Sequence, residues 1–351
     1  MTPSNALPKR TPRRRFGTNS ATMADVAELA GVSAQTVSRV LRDPEGSAPE
    51  TRERVMQAVR ATNYVQNHAA SHLASNRSMT VAAVIPQIAA SVFAETVQGL
   101  SNILLPAGYQ IVIGHTDYSL EREEALVRSL LGRRPAAFFL IGTTHSQSTR
   151  DMLAAAGVPI VESWEWVTKP IDRLVGFSNR LALAEMVAYL KGAGYKQLSF
   201  AGAVRTGDSR ALERIDGFRD GMAEHFPRHK PRVVTAEGLP YAMSTGSTLL
   251  DMVLEAHPQT DAIVFSSDLF ASGALLACQR RGIDVPGRLA ISGFGDYEIA
   301  RELQPALTTV AVPTTQIGEE AAKIILRCLR DEKPAARKID LGFRIIGRES
   351  A

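Results

Sequence analysis

The spacing of apolar residues changes near residue 80 and divides the chain into two regions. Between residues 22 and 62, apolar side chains recur every three or four positions, as at Val26, Leu29 and Ala30, which is the spacing of one helix face. From Val81 onward, short apolar runs without alternating polar residues are separated by stretches of helix length, which indicates buried parallel strands in strand-helix-strand units. The runs are VAAVIP (81–86), YQIVIG (109–114), AAFFLIG (136–142), VPIVES (158–163), LVGFS (174–178), QLSFAG (197–202), AIVFSS (262–267) and LAISGF (289–294). The pattern therefore predicts a small helical region followed by an α/β region.

The α/β region is too long for one sheet. The whole chain has 351 residues, which is enough for two or three domains and a sizeable core. About 270 of them follow residue 80, more than a single doubly wound sheet uses, so we expect two α/β lobes.

The helical region has the pattern of a helix-turn-helix, TMADVAELAGVSAQTVSRVLR, over residues 22–42. Thr22 is expected to cap the first helix with Asp25, in a short variant of the capping box. Gly31 supplies the unusual backbone conformation of the turn, and Ser33 can cap the second helix. A third helix is expected over residues 50–62, directly after Pro49. The expected small core is formed by Val37, Val40, Leu41, Val55, Ala58 and Val59.

The polar side of the second helix carries side chains of types that can contact DNA bases. These side chains are Ala34, Gln35, Ser38 and Arg39. In a major groove, Gln pairs with adenine, Arg pairs with guanine, and a small apolar group contacts the thymine methyl. The alternative is a polar helix face that is merely solvated. The tight spacing of the two helices and the charge distribution favour DNA binding.

The basic charge of the chain belongs to its first 80 residues. They contain 11 Lys and Arg against 6 Asp and Glu, whereas residues 81–351 contain 29 against 30. A net charge of +5 in the first part and −1 in the second places the positive charge where DNA phosphates would be neutralised. Residues 1–21, which include Lys9 and Arg10, are expected to be a disordered basic tail.

The first 80 residues resemble the headpiece of the lactose-repressor family of bacterial transcription factors, and the resemblance continues to the end of the chain. AGVSAQTVSRVL, TRERV and NYVQNHAASHLAS match the recognition helix, third helix and hinge helix of the family in order. The resemblance implies a periplasmic-binding-protein-like core of two doubly wound parallel-sheet lobes joined by three crossovers, with a small molecule between them. The expected domains are a headpiece at 22–66, a hinge helix at 67–79 and an effector-binding and dimerisation core at 80–351. Within the core, we expect a first lobe at about 80–178 and 311–332, and a second at about 179–310 and 333–351.

The resemblance also implies which residues contact DNA. The expected contacts are Ala34, Gln35, Thr36, Ser38, Arg39, Thr51, Asn67 and Leu73. The segment NHAASHLASN at 67–76 is too short to form a stable isolated helix, so it is a candidate switch that folds only when held. In the family, paired hinge helices insert a leucine between base steps of the minor groove, a role that falls on Leu73. A passive linker with an incidental leucine is the alternative.

The effector is expected in the cleft between the lobes, near the carboxyl ends of the strands. Residues that follow predicted strands are Phe93, His145, Trp164, Trp166, Ser266, Ser267 and Asp268. The resemblance adds Arg214, in RIDGF, as the cleft arginine and Tyr241 near the aromatic wall. Taken singly, an aromatic residue at a strand end is more often a packing residue, and a lone histidine is more often a structural one. An arginine offers a planar fork suited to a carboxylate or to vicinal hydroxyls.

The predicted strand LAISGF (289–294), called the late strand below, is followed by a different sequence from that of the sugar-binding relatives. They place an acidic residue directly after a glycine-aromatic pair, whereas here Gly293-Phe294 is followed by Gly295 and only then by Asp296. The stretches FSSDLFASGA, GFGDYEIA and TTH are similar to the gluconate-operon repressors of the family. We therefore expect a sugar acid whose carboxylate faces Arg214 or His145, with a neutral sugar or another small metabolite as the alternative.

Other classes of protein fit the sequence less well. The nucleotide-binding GxGxxG and GxxxxGK[ST] motifs and the hydrolase GxSxG motif are absent, so no catalytic residue is assigned. Cys278 and Cys328 lie apart from other metal-ligating residues, so neither a metal, a cofactor nor a disulfide is expected. A solute-binding module would share the core but would leave the headpiece unexplained, and the chain begins without an export signal. We expect a cytoplasmic, nucleoid-associated repressor that reads a two-fold symmetric operator as a homodimer, since no C-terminal leucine heptad supports a tetramer.

Overall fold

A computed structural model describes residues 21–65, 78–88, 90–332 and 336–351. The chain forms two compact units, divided between Arg77 and Ser78. The expected basic tail up to residue 20 lies outside the described residues. So does the expected hinge segment, with Asn67 and Leu73.

The first unit is a three-helix bundle with α1 at Met23–Ala30, α2 at Ala34–Arg42 and α3 at Pro49–Thr62. The predicted capping box is present, because Asp25 Oδ2 accepts a hydrogen bond from the backbone N–H of Thr22 at 2.6 Å and Thr22 Oγ1 accepts one from that of Asp25. Gly31 ends α1 with φ at 64°, a left-handed conformation that glycine adopts without steric cost.

The buried face of α1 differs at one residue from the apolar face that the sequence predicted. Val26, Val37, Val40, Val55 and Ala58 are buried as expected. Leu29, however, is 59% exposed. The buried side of α1 is instead centred on Val26, Ala27 and Ala30, and Leu29 lies about 100° away from the centre of that side on a helix with 3.6 residues per turn.

The second unit contains two six-stranded sheets. The first has the order β11-β5-β4-β3-β1-β2 and is parallel throughout. Its strands are β1 (Thr80–Ile85), β2 (Gln110–His115), β3 (Ala137–Ile141), β4 (Ile160–Ser163), β5 (Arg173–Gly176) and β11 (Lys338–Asp340). The second has the order β12-β10-β9-β8-β6-β7, with only β12 antiparallel to its neighbour. Its strands are β6 (Leu198–Val204), β7 (Arg232–Glu237), β8 (Ala262–Phe265), β9 (Ala290–Gly295), β10 (Thr308–Ala311) and β12 (Arg344–Ile346).

Helices connect and cover the strands, as the apolar runs and intervening stretches predicted. They are α4 (Ser91–Leu104), α5 (Leu120–Leu131), α6 (Gln147–Ala154), α7 (Asn179–Gly192), α8 (Ser209–His225), α9 (Met243–Ala256), α10 (Asp268–Arg281), α11 (Glu298–Glu302) and α12 (Thr314–Leu329). Helices α4 and α12 pack closely, because Gly99 and Gly318 each lie against the backbone of the other helix where a Cβ atom would clash. No helix in the described part of the chain is long and apolar enough to span a bilayer.

The second unit is thus a two-lobed α/β core, and the chain passes between the lobes three times. The first passage follows β5, the second follows β10, and the third lies between β11 and β12. We expected residues 333–351 to lie wholly in the second lobe, and this is wrong for Lys338–Asp340. These residues pair in parallel with β5, where Ile339 lies opposite Val175, and so extend the first sheet by one strand.

Candidate DNA-binding surface and interlobe cleft

Helix α2 is held so that one of its faces is buried and the other is free. The hydroxyl of Ser33 caps the helix by accepting a hydrogen bond from the backbone N–H of Thr36 at 3.2 Å. Val37 and Val40 are fully buried against the rest of the bundle. Because these valines fix the rotation of the helix, the predicted base-contacting residues Ala34, Gln35 and Arg39 are exposed, and Thr36 and Ser38 are half-buried beside them. The geometry matches the requirement that one helix face enter a major groove.

Two of the residues predicted to contact DNA, Thr36 and Thr51, are only half-exposed. The hydroxyl of Thr36 lies 2.9 Å from that of Ser33, so it is engaged in the helix cap. Thr51 is half-buried in the first turn of α3, where backbone N–H groups are unpaired and a phosphate is favoured.

A cleft between the two lobes collects most of the predicted effector residues. It encloses about 630 Å³ of unfilled space, including its open mouth. The predicted residues in its lining are Phe93, Trp164, Arg214, Tyr241 and Ser267, together with Ser266. The lining also includes residues that the sequence did not single out, namely Tyr118, Arg205, Asp208, Arg210, Phe294 and Tyr297.

The aromatic wall of the cleft is itself well packed. The rings of Phe93 and Trp164 meet edge to face with centroids 5.1 Å apart, and Phe177 lies 6.0 Å from Trp164 on its other side. The indole N–H of Trp164 donates a hydrogen bond to Thr96 at 3.1 Å. Phe93 and Trp164 therefore both line the cleft and pack in the hydrophobic core. Trp166 is absent from the lining and packs its ring against Lys338 instead.

Arg214 lies in the cleft, where its guanidinium donates hydrogen bonds to neutral oxygens. Its Nε donates to Asn179 Oδ1 at 2.9 Å, and one terminal nitrogen donates to the carbonyl oxygen of Ser266 at 2.8 Å. The guanidinium stacks 3.8 Å above the centroid of Phe294. Among the described residues, no Asp or Glu oxygen lies within 4.0 Å of Arg214. Burial lowers the pKa of Arg214, and the nearby charge of Arg210 acts in the same direction while Asp208 opposes it.

Three hydroxyl groups meet on the second-lobe side of the cleft. The hydroxyl of Tyr241 lies 2.8 Å from that of Ser267 and 2.5 Å from that of Tyr297. Burial raises the pKa of both tyrosines, so both remain neutral donors and acceptors. Such a group can hydrogen-bond a polyhydroxylated molecule. Tyr297 was missed, although it follows the late strand β9 and the rule of strand ends could have found it.

Arg210 pairs with a carboxylate from the other lobe. One of its terminal nitrogens lies 3.1 Å from Glu165 Oε1, and both side chains are about 95% buried. The same carboxylate accepts hydrogen bonds from Ser209, at 2.8 Å, and from Thr143. Asp208 lies 3.9 Å from Arg210 and caps α8 by accepting from the backbone N–H of Ala211.

A second interlobe pair lies nearer the solvent. Arg205 contacts Asp117 at 3.0 Å, with side chains 27% and 44% exposed. Tyr118 lies beside two of the cleft arginines, since the guanidinium carbons of Arg205 and Arg210 are 5.8 and 5.7 Å from its ring centroid.

The expectation that His145 faces the effector is wrong. It follows β3, but its side chain is 1% exposed and points into the first lobe, where Nδ1 lies 2.7 Å from Glu123 and Nε2 lies 3.4 Å from Glu162. Burial alone lowers the pKa of His145, but hydrogen bonds and charges from the two glutamates raise it to about 9. His145 is a charged structural residue because two carboxylates surround it.

The expectation that Asp296 contacts the effector is also wrong. It forms ion pairs with Arg348 at 2.6 Å and with Arg301 at 2.9 Å, and it is absent from the lining of the cleft. Asp268, which also follows a predicted strand, is buried below the cleft and accepts from Thr309 and from the backbone N–H of Tyr297. Burial raises the pKa of Asp268 to about 7.

Each of the two units contains a region that matches a known protein family model. Residues 22–67 match the model of bacterial regulatory proteins of the lacI family, and residues 187–351 match a periplasmic binding protein-like domain. The chain is 33% identical to the HTH-type transcriptional regulator GntR of Pseudomonas aeruginosa over 95% of its length and 96% of that protein. It is 32% identical to the regulator IdnR of Escherichia coli K12, over 92% of its length and 96% of that protein.

Solved structures agree in fold. A LacI family transcriptional regulator from Silicibacter pomeroyi superimposes with a TM-score of 0.87 at 35% identity, covering 94% of this chain and 99% of that one. The lac repressor dimer bound to operator shares the fold with a TM-score of 0.80 at 23% identity, covering 94% and 98%. The helix-turn-helix, the two-lobed core and these relatives together establish that the chain belongs to the LacI family of DNA-binding transcriptional regulators and is not an enzyme.

Proposed function

We propose that this regulator is a cytoplasmic repressor whose operator binding is controlled by a sugar acid of the gluconate type held in the interlobe cleft. The proposal has two parts, the chemistry of the effector and the way in which DNA is read. The first rests mainly on Arg214.

The observation that carries the effector proposal is the lone charge of Arg214. Its fork donates only to neutral oxygens, from Asn179 and Ser266, and no carboxylate among the described residues lies within ion-pair distance. A guanidinium withdrawn from water is stabilised by a carboxylate, which it can bind with two parallel hydrogen bonds. An anionic group of the ligand would supply the missing partner.

The rest of the cleft favours a ligand that also carries hydroxyl groups. The hydroxyls of Tyr241, Tyr297 and Ser267 lie within hydrogen-bond distance of one another and face the same cavity as Arg214. Phe93 and Trp164 provide an apolar wall on the first lobe. A carboxylate followed by a chain of hydroxyls, as in an aldonate, matches this combination of groups. The similarity to regulators named GntR and IdnR supports the same choice.

A neutral sugar is the second candidate for the effector. It is less well supported, because Asp296, the acidic residue that follows the late strand in the sequence, is occupied by Arg348 and Arg301. The acidic clamp for vicinal hydroxyls expected of a sugar site therefore has no counterpart at that position.

For DNA binding, we propose that Gln35 and Arg39 contact base edges while Ala34, Thr36, Ser38 and Thr51 contact thymine methyls or the backbone. Two copies of the chain would present two α2 helices to the halves of a two-fold symmetric operator. Asn67 and Leu73 are proposed as contacts of the hinge segment. The effector would act by preferring one arrangement of the two lobes, because a ligand can shift an equilibrium only through such a preference.

Thermal unfolding of the full chain with a matched ligand panel tests the effector proposal. The panel pairs gluconate with glucitol and galactonate with galactitol, open-chain polyols in which a hydroxymethyl group replaces the carboxylate, and adds glucose and galactose as cyclic neutral sugars. A bound acid at 100 times its Kd is expected to stabilise the protein by about 2.7 kcal/mol, and its neutral partner by much less. Stabilisation by the neutral members alone would overturn the sugar-acid proposal and favour the second candidate.

A further inference from the structure

Three arginines line the cleft, and their charges are not equivalent. They are Arg205, Arg210 and Arg214. The first two are paired with carboxylates of the opposite lobe, whereas Arg214 has no carboxylate within 4.0 Å among the described residues. The number of cations left for a ligand is therefore set by the protein's own acidic residues.

Glu165 is the acidic residue of the more deeply buried ion pair. It follows β4 in the first lobe and contacts Arg210, on the first turn of α8 in the second lobe, at 3.1 Å. Hydrogen bonds from Ser209 and Thr143 hold both carboxylate oxygens in place. With both side chains about 95% buried, solvent screens this pair little.

The outer pair is different, because Asp117 and Arg205 are partly exposed. Water can solvate either charge there. In the buried part of the cleft two carboxylates act on Arg210, Asp208 of its own lobe at 3.9 Å and Glu165 of the opposite lobe at 3.1 Å, and Glu165 is the one that forms the direct hydrogen bond.

We infer that Glu165 restricts the effector to molecules with a single negative charge, by occupying Arg210 and leaving Arg214 as the cation for the ligand. This inference rests on the proposed sugar-acid function and adds a selection by charge. A second carboxylate on the ligand would be buried without a free cation and near the negative charges of Glu165 and Asp208. Burying an unpaired charge is costly, so a dicarboxylic sugar acid is rejected although its carbon chain has the same length.

A purely structural role for the interlobe pair makes a different prediction. If Glu165 only held the lobes together, its removal would change the affinity for monocarboxylates and dicarboxylates by the same factor. The ratio of the two affinities separates the roles.

The experiment is calorimetry on the full chain with D-gluconate and D-glucarate, which share a six-carbon chain and differ in the second carboxylate. The parent protein is expected to bind gluconate at least tenfold more tightly than glucarate. Glu165→Gln keeps the shape and one acceptor but removes the carboxylate hydrogen-bonded to Arg210 and leaves Asp208 at 3.9 Å, so the preference is expected to fall at least fivefold. Glu165→Asp retains the negative charge and is expected to retain most of the preference. Asp117→Asn breaks the other interlobe pair and is the control for lobe closure.

Each outcome bears on one of the two proposals. Equal affinity of the parent for both acids would overturn the charge selection and would leave the sugar-acid function standing, and this measurement needs no variant. A preference unchanged in a folded Glu165→Gln protein, or lowered equally in Asp117→Asn, would also overturn it. If the parent binds neither acid but binds a neutral sugar, the proposed function itself fails.

Discussion

Asn179 bridges Arg214 and the aromatic wall on the other side of the cleft. Its side-chain oxygen accepts a hydrogen bond from Arg214 Nε at 2.9 Å, and its side-chain nitrogen donates to the backbone oxygen of Trp164 at 2.9 Å. Asn179 begins α7, directly after the first passage between the lobes. The orientation of the cleft arginine is therefore coupled to the position of the first lobe, and under the proposed function this coupling links a ligand on Arg214 to the arrangement of the lobes.

Replacing Arg214 by alanine is expected to weaken sugar-acid binding by one to two decades. The loss corresponds to a charge-assisted contact of about 1.5 to 3 kcal/mol. Calorimetry with gluconate measures it. Arg214→Lys is the matched variant, and it is expected to recover only part of the affinity, because an ammonium group cannot make the two parallel hydrogen bonds of a guanidinium.

The same Arg214→Ala variant is expected to keep its basal affinity for operator DNA, because the proposed base contacts lie on α2 in the other unit. The change in operator affinity that the effector produces should disappear. Full gluconate affinity in the alanine variant would place the anion site elsewhere in the molecule.

The sequence predicted the parts of the fold and site that depend on local chemistry. Thr22, Gly31 and Ser33 were predicted because capping and left-handed turns follow from single residue types. Arg214 and Tyr241 came from family resemblance, whereas the strand-end rule alone gave Phe93, Trp164 and Ser267. The rule identifies the edge of a sheet but not the direction of a side chain, and for this reason it was wrong for His145.

The two ion pairs that join the lobes could not be predicted from the sequence. Arg210 and Glu165 are 45 positions apart and meet only because the lobes face each other. Arg205 and Asp117 are 88 positions apart. The strand-end rule could have identified each of these four residues as a candidate site residue. They lie in RTGDSR (205–210), which follows β6, in HTD (115–117) at the end of β2, and in SWE (163–165) at the end of β4. Their pairing needs the register of two sheets, which no single spacing contains.

For base recognition, Gln35→Ala is expected to cost about 1 to 3 kcal/mol on the cognate operator and little on random DNA. The side chain is exposed on α2 and makes no contact that the bundle needs. Gln57→Ala, at an exposed position on α3, is the matched control and should leave both affinities unchanged. Fluorescence anisotropy with the two DNAs measures the difference. Equal losses on operator and random DNA would show that Gln35 only positions the phosphate backbone.

For the hinge, Leu73→Ala is expected to weaken operator binding and to reduce DNA bending. An inserted leucine costs a few kcal/mol of base unstacking and is compensated by wider contact with the bent duplex. Effector affinity and dimerisation should stay close to those of the parent. Gel mobility with permuted operators measures the bend, and an unchanged bend with unchanged affinity would reduce residues 67–76 to a passive tether.

The buried His145 predicts a pH dependence of stability that is independent of the cleft. Glu123 and Glu162 raise the pKa of this histidine from 6.5 to about 9 in the folded protein, against the opposing effect of burial. Because the folded-state pKa lies above the unfolded one, the stabilisation is fully present below about pH 6.5 and is lost as the pH rises through about 9.

His145→Gln removes the titrating group, so the advantage of the parent over the variant in free energy of unfolding should shrink between these limits. Denaturant unfolding at pH 6, 7.5 and 9.5 measures it on both proteins, and the difference cancels other groups, such as Asp268, that titrate in the same range. A difference that stays constant across the three pH values would mean that His145 has the same pKa in the folded and unfolded protein and that the two glutamates do not hold its proton.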